Sequence, residues 1–143
     1  MILIDTNVVS EPWKPAPDAN VLSWIDAQVI ETLFLSAITV AELRFGIAAM
    51  PAGKRQTILH DRLERDVLPL FSGRILAFDF EASQFYSELM ACARRSGKAI
   101  ATADGYIAAI AAARDLVVAT RDKSPFEAAG LRVINPWAVH GVP

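Results

Sequence analysis

Four carboxylates stand just beyond the most apolar stretches of the chain, and together they point to one chemistry. Asp5 follows the run Met1-Ile2-Leu3-Ile4, and Asp122 comes three residues after Val117-Val118-Ala119. Glu42 falls in the first turn of a helical stretch behind Leu33-Phe34-Leu35, and Asp104 near the start of the alanine-rich stretch 103–114. Carboxylates held together repel, so such a cluster persists where a hard divalent cation neutralises it. Oxygen-only ligation selects Mg²⁺ or Mn²⁺. The chain offers zinc no site: it has one cysteine, Cys92, which reads as a small core residue, and two histidines, His60 and His140, which read as solvated surface.

Taken singly, each acid also has a purely structural reading. Thr39-Val40-Ala41-Glu42 has the spacing of a capping box, in which Glu42 would satisfy the Thr39 amide. Thr102 suits an N-cap, with Asp104 near the positive end of the helix dipole. Asp122 fits an ordinary turn in Thr120-Arg121-Asp122-Lys123, and Asp5-Thr6-Asn7 can cap a short helix. The constellation is more specific than its members. All four acids fall at carboxyl ends of strands or at the helix starts behind them, the edge where open parallel sheets bind ligands.

The elements that must position them follow from hydrophobic patterning. Short, β-branched-rich runs at 2–4, 33–35, 75–78, 117–119 and 131–134 read as buried parallel strands. Between them, Ala82, Phe85, Tyr86, Leu89, Met90 and Ala93 recur at helical spacing before Gly97 ends the pattern. Leu59, Leu63 and Val67 form a stripe in the charged segment 54–66, Asp18 suits the N-cap of a helix over 20–27, and another helix begins near Thr39. Gly105 is a tolerated first-turn residue, costing about 1 kcal/mol relative to alanine. The prediction is an α/β domain spanning 1–143: a three-layer sandwich with a mostly parallel, roughly five-stranded sheet flanked by helices.

At 143 residues the chain is one domain's worth, and 53% hydrophobic against 21% charged residues excludes disorder and a fibre. No apolar run approaches the ~20 residues that span a bilayer, and the amino-terminal run has no basic leader region, so the expected address is cytoplasmic. The net charge of −2 argues against a strongly polyanion-binding surface, yet its distribution is uneven. Residues 1–43 carry six acids and one base, and the rest ten acids and thirteen bases.

Five blocks in order resemble the PIN-domain family. They are Met1-Ile2-Leu3-Ile4-Asp5-Thr6-Asn7-Val8-Val9-Ser10-Glu11; Leu35-Ser36-Ala37-Ile38-Thr39-Val40-Ala41-Glu42-Leu43-Arg44-Phe45-Gly46-Ile47; Asp104 with Ile107-Ala108-Ala109; Ala119-Thr120-Arg121-Asp122; and Gly130-Leu131 through Ile134-Asn135-Pro136-Trp137. The resemblance runs over essentially the whole chain and is nearest to VapC-type toxins of bacterial toxin-antitoxin modules, in the branch that includes the toxin-like partner of FitAB.

That resemblance implies a Mg²⁺- or Mn²⁺-dependent ribonuclease whose ligands are Asp5, Glu42, Asp104 and Asp122. It implies Thr120 as an orienting hydroxyl, Thr6 and Asn7 as support for the Asp5 loop, and Arg121 and Lys123 as candidate phosphate contacts, which read equally well as solvated surface charges. It also implies a toxin homodimer and a cognate VapB/FitA-type antitoxin, through which alone the chain would meet operator DNA. Trp13, Leu22, Trp24 and the helical stretch 54–68 are candidates for groove or dimer contacts, although core packing is the more common role for any one of them. The alternative is a catalytically weak PIN-fold partner of a DNA-binding antitoxin, acting in transcriptional regulation. Aspartyl-phosphate phosphatases and receiver domains also place an acid after the first strand. The first expect a second Asp where Asn7 stands, and the second a lysine where Thr120 and Arg121 stand.

Overall fold

In the computed structural model, which describes residues 1–138, five short strands form one sheet in the order β3-β2-β1-β4-β5, with every pairing parallel. They are β1 (Ile2–Ile4), β2 (Leu33–Ser36), β3 (Ile75–Leu76), β4 (Val117–Ala119) and β5 (Val133–Ile134). Seven α-helices connect them: α1 (Thr6–Ser10), α2 (Ala19–Asp26), α3 (Ala37–Ala48), α4 (Lys54–Asp61), α5 (Phe80–Arg95), α6 (Thr102–Ala113) and α7 (Ser124–Ala128).

The pleat sorts side chains between two helical layers. Leu3 and Val118 point into a core built with α5, α6 and α7 (Ala82, Leu89, Ile107, Phe126). Their neighbours Ile4 and Ala119 point the other way, onto α1, α2 and α3 (Val8, Val21, Trp24, Val40). Right-handed crossovers require this arrangement. The chain steps outward from β1 to β3 over one face, so the return to β4 and β5 must pass over the other. The order reverses at β1, so the crevice at its carboxyl end is the topological switch point.

The edge strands are shorter than the apolar runs suggest. Pairing of β3 ends at Leu76, and Phe78 turns into an aromatic cluster with Tyr86 and Tyr106, at centroid distances of 5.8 and 4.7 Å. Leu131 packs into the core before β5 begins. The stripe of Leu59, Leu63 and Val67 faces inward as expected, but regular α-helix stops at Asp61. The chain then takes a wider π turn over Arg62–Val67 and a 3₁₀ turn over Leu68–Phe71. Pro69 accounts for the change, because proline lacks an amide donor and its ring collides with the carbonyl four residues back.

Two further expectations change, those for Cys92 and Gly105. Cys92 is exposed, on the outer face of α5, and not in the core. His60 is exposed as expected, whereas His140 lies outside the described residues. Trp24 is 8% exposed and belongs to the core. Gly105 is more than tolerated: a Cβ there would sit 2.8 Å from Met90 Sδ and 3.0 Å from the Tyr86 ring, so a larger residue must displace the Met90 thioether and crowd that ring. Gly105→Val should therefore destabilise the domain by about 3 kcal/mol, overpacking adding to poorer helix propensity. Chemical denaturation checks this; unchanged stability would show that α5 gives way freely.

Candidate active site

Each acid reaches the switch-point crevice by a different local device. Asp5 leaves β1 as the N-cap of α1, its Oδ1 accepting the Thr6 amide at 2.8 Å. The strand ladder continues one step, the Asp5 amide bonding the Ala119 carbonyl at 2.9 Å, which places Asp5 beside Thr120. Thr120 is fully buried; its Oγ1 donates to Asp5 Oδ2 at 2.8 Å and accepts the Asp122 amide at 3.2 Å. One hydroxyl thus orients the first acid and sets the turn that carries the fourth.

Glu42 is not a cap. The first turn of α3 is capped by Ser36, whose Oγ accepts the Thr39 amide at 3.0 Å, so the helix starts earlier than the Thr39 spacing suggests. This frees Glu42, whose Oε1 accepts the Thr6 hydroxyl at 2.8 Å. That hydroxyl also lies 3.3 Å from Thr39 Oγ1, tying α1 to α3. Thr102 is likewise not the N-cap of α6: Ala101 holds that position without a side-chain bond, and Asp104 is the third helical residue.

The four acids line one cavity together with Thr6, Asn7, Ser10 and Phe126. Among the described residues this lining contains no lysine or arginine. Three of the nearby cations have partners of their own. Arg44 makes a two-pronged pair with Glu64 at 2.8 and 3.0 Å, the Arg121 guanidinium lies 5.4 Å from the Trp137 ring centre, and Lys123 Nζ is 3.6 Å from Glu127. Ser10 lies one helical turn beyond Thr6; sequence reading passed over it, although that i, i+4 spacing was a usable signal.

Uncompensated charge raises the pKa of two of the acids, the buried Asp5 and the half-exposed Asp104. Burial pushes the Asp104 carboxyl above its ordinary range, and the charges of Asp5, Glu42 and Asp122 push it further, in that order. Asp5 is also raised: burial outweighs the Thr120 and Thr6 hydrogen bonds, and Asp122 adds to it. Thr120→Val keeps the shape and removes the hydroxyl. It should raise the Asp5 pKa further and cost on the order of 2 kcal/mol through the bonding groups left unmatched. Carboxyl-carbon NMR titration checks this; an unmoved Asp5 would mean that Thr120 does not tune it.

Among the described residues the donor set suits a hard divalent cation: four carboxylates, no competing base, and the buried Asn7 Oδ1, which has no hydrogen-bond partner there. Among the described residues no three acid, histidine or cysteine side chains are already drawn into one coordination shell.

Comparison with known proteins agrees with the geometry. The family model described as "PIN domain" matches residues 2–131. VapC ribonuclease Y4jK of Sinorhizobium fredii is 68% identical over 137 residues, covering 96% of this chain and 98% of the relative. Toxin FitB of Neisseria gonorrhoeae is 53% identical, covering 96% and 99%. The solved structure of FitAB bound to an IR36 DNA fragment superposes with a TM-score of 0.96 at 49% identity, covering 99% of both chains.

Proposed function

Because this chain belongs to the PIN-domain family, we propose that it is the toxin of a toxin-antitoxin pair, a hydrolase that cuts RNA phosphodiester bonds with Mg²⁺ or Mn²⁺. The observation that carries this reading is the meeting of Asp5, Glu42, Asp104 and Asp122, from four separate stretches of chain, around one cavity whose lining, among the described residues, has no basic side chain. The names of the relatives, a VapC ribonuclease and a toxin, support it.

Asp5, Glu42, Asp104 and Asp122 would hold the cation. When bound, it supplies Lewis acidity, making water nucleophilic near neutral pH and balancing charge on the phosphoryl oxygens. The protein's own contribution is orientation. Thr120 and the Thr6 amide hold the two Asp5 oxygens in fixed directions, and the Thr6 hydroxyl does the same for Glu42. No side-chain nucleophile is needed. Asn7 lines the same cavity, and its buried Oδ1 has no hydrogen-bond partner among the described residues.

The partner in this reading is an antitoxin of the VapB/FitA type, through which the toxin, as a homodimer in the cytoplasm, reaches operator DNA. Its segment would lie in the apolar cleft lined by Val9, Trp13, Ile25 and Leu70. Among the described residues no helix is long and apolar enough to cross a membrane. The structure of FitAB on DNA favours one second reading, a catalytically weak partner in a repressor complex. Inducing the chain alone in cells and sequencing RNA ends separates the two. Discrete new ends, absent with Asp104→Asn, support the nuclease; no new ends, alongside full operator binding with the antitoxin, support the repressor partner.

A further inference from the structure

A furrow leaves the carboxylate cavity with a charge pattern of its own. Asp104 and Asp122 line the cavity and also wall an adjoining cleft, which runs past Ala99 and Ala101 to Lys98. Lys98 is shared in turn with a third depression, which reaches Arg94 at the end of α5. The three depressions thus adjoin through shared walls, in an order that runs from acidic to basic lining. The remaining charged group along it, Glu127, is paired with Lys123.

Lys98 and Arg94 are exposed, and among the described residues neither has an acidic side chain within ion-pairing distance. The backbone beneath Lys98 is fixed. Gly97 takes a left-handed turn at φ +70°, its amide bonding the Arg94 carbonyl at 3.1 Å, and the Lys98 amide bonds the Ala93 carbonyl at 2.8 Å. This paired closure of a helix end holds Lys98 in place beside the cleft. A polyanion entering a cavity lined by four carboxylates needs a cation nearby that is not already spent on a partner, and Lys98 meets that need where Arg121 and Lys123 do not.

We propose that this furrow is the groove of the RNA strand and that Lys98 is a positioning residue gripping a phosphate beside the scissile one, with Arg94 serving the next. The proposal rests on the nuclease reading above. The test compares wild type, Lys98→Ala, Lys98→Arg and Arg132→Ala on one single-stranded RNA with Mg²⁺, measuring kcat, KM and the salt dependence of binding. Arg132 is exposed ahead of β5, at the opposite end of the sheet, so its loss removes the same charge away from the furrow.

Lys98→Ala should raise KM roughly fivefold to tenfold with kcat nearly unchanged, and flatten the slope of log affinity against log salt by about 0.7. Lys98→Arg should restore most of the loss, and Arg132→Ala should change neither quantity. Wild-type cleavage with KM and slope unmoved in Lys98→Ala would overturn the groove and leave the nuclease standing; so would a fall in kcat alone, or a loss confined to binding a protein partner. Wild type that neither binds nor cuts RNA would overturn both.

Discussion

Asp5→Asn and Asp104→Asn should each lower the rate of RNA cleavage by roughly 10³-fold or more at saturating Mg²⁺ or Mn²⁺, because each removes a formal charge from the cation's binding site. The two are chosen because their environments differ. Asp5 is buried and bound at both oxygens, so its amide analogue loses charge and also disturbs the Thr120 bond. Asp104 makes no hydrogen bond through its side chain among the described residues, so Asp104→Asn tests charge with little structural disturbance. Initial rates on one RNA substrate check both, and undiminished cleavage by both would point to another nuclease in the preparation.

Asp104→Asn should also make the cation-free protein more stable. Burial and three neighbouring carboxylates raise the Asp104 pKa in the folded state, so folding binds its proton more tightly than the unfolded chain does. The cost to the folded state is complete above that raised value and is relieved as pH falls towards the ordinary aspartate value of about 3.9. At neutral pH, in chelator, the variant should gain on the order of 1 kcal/mol, kept small by solvent screening of a half-exposed group, or about 3 °C in Tm. The advantage should shrink on acidification through the same window. Other acids move oppositely: Asp79 and Glu64 are held below their usual range, Asp79 mainly by the Ala82 amide and Glu64 mainly by its bond from Arg44, and so lose their stabilising effect as pH falls. Only the difference between variant and wild type therefore isolates Asp104. Mg²⁺ or Mn²⁺ should then raise the Tm of wild type and leave the variant nearly unmoved. A variant less stable than wild type in chelator would contradict the account of a strained acidic cluster.

Much of this site was legible in the chain because its physics is local. An acid directly after Ile2-Leu3-Ile4 must emerge at the carboxyl edge of a buried strand, and a parallel sheet gathers such edges together. Legibility failed where tertiary contact decides. The capping-box spacing at Thr39 was outcompeted by Ser36 three residues earlier, which released Glu42 to meet Thr6, 36 residues away in the chain. Gly105 looked like a weak helix residue because the Met90 and Tyr86 side chains that crowd it lie on another helix. Arg121 and Lys123 looked available for phosphate, yet Trp137 and Glu127 engage them. Composition alone could not show that the basic residues near the site are those at the end of α5, since the Schellman turn at Gly97 and the fold of α5 against α6 bring Lys98 there.

The central claim is that the carboxylate quartet acts through a divalent cation. It is tested most directly by stripping the purified protein with chelator, titrating Mg²⁺ or Mn²⁺ back, and following cleavage of one RNA alongside cation binding by calorimetry. The account predicts no cleavage without cation, recovery along the binding curve, and loss of both binding and recovery in Asp104→Asn. Chelator-resistant cleavage, or cleavage that persists in Asp104→Asn at every cation concentration, would contradict it.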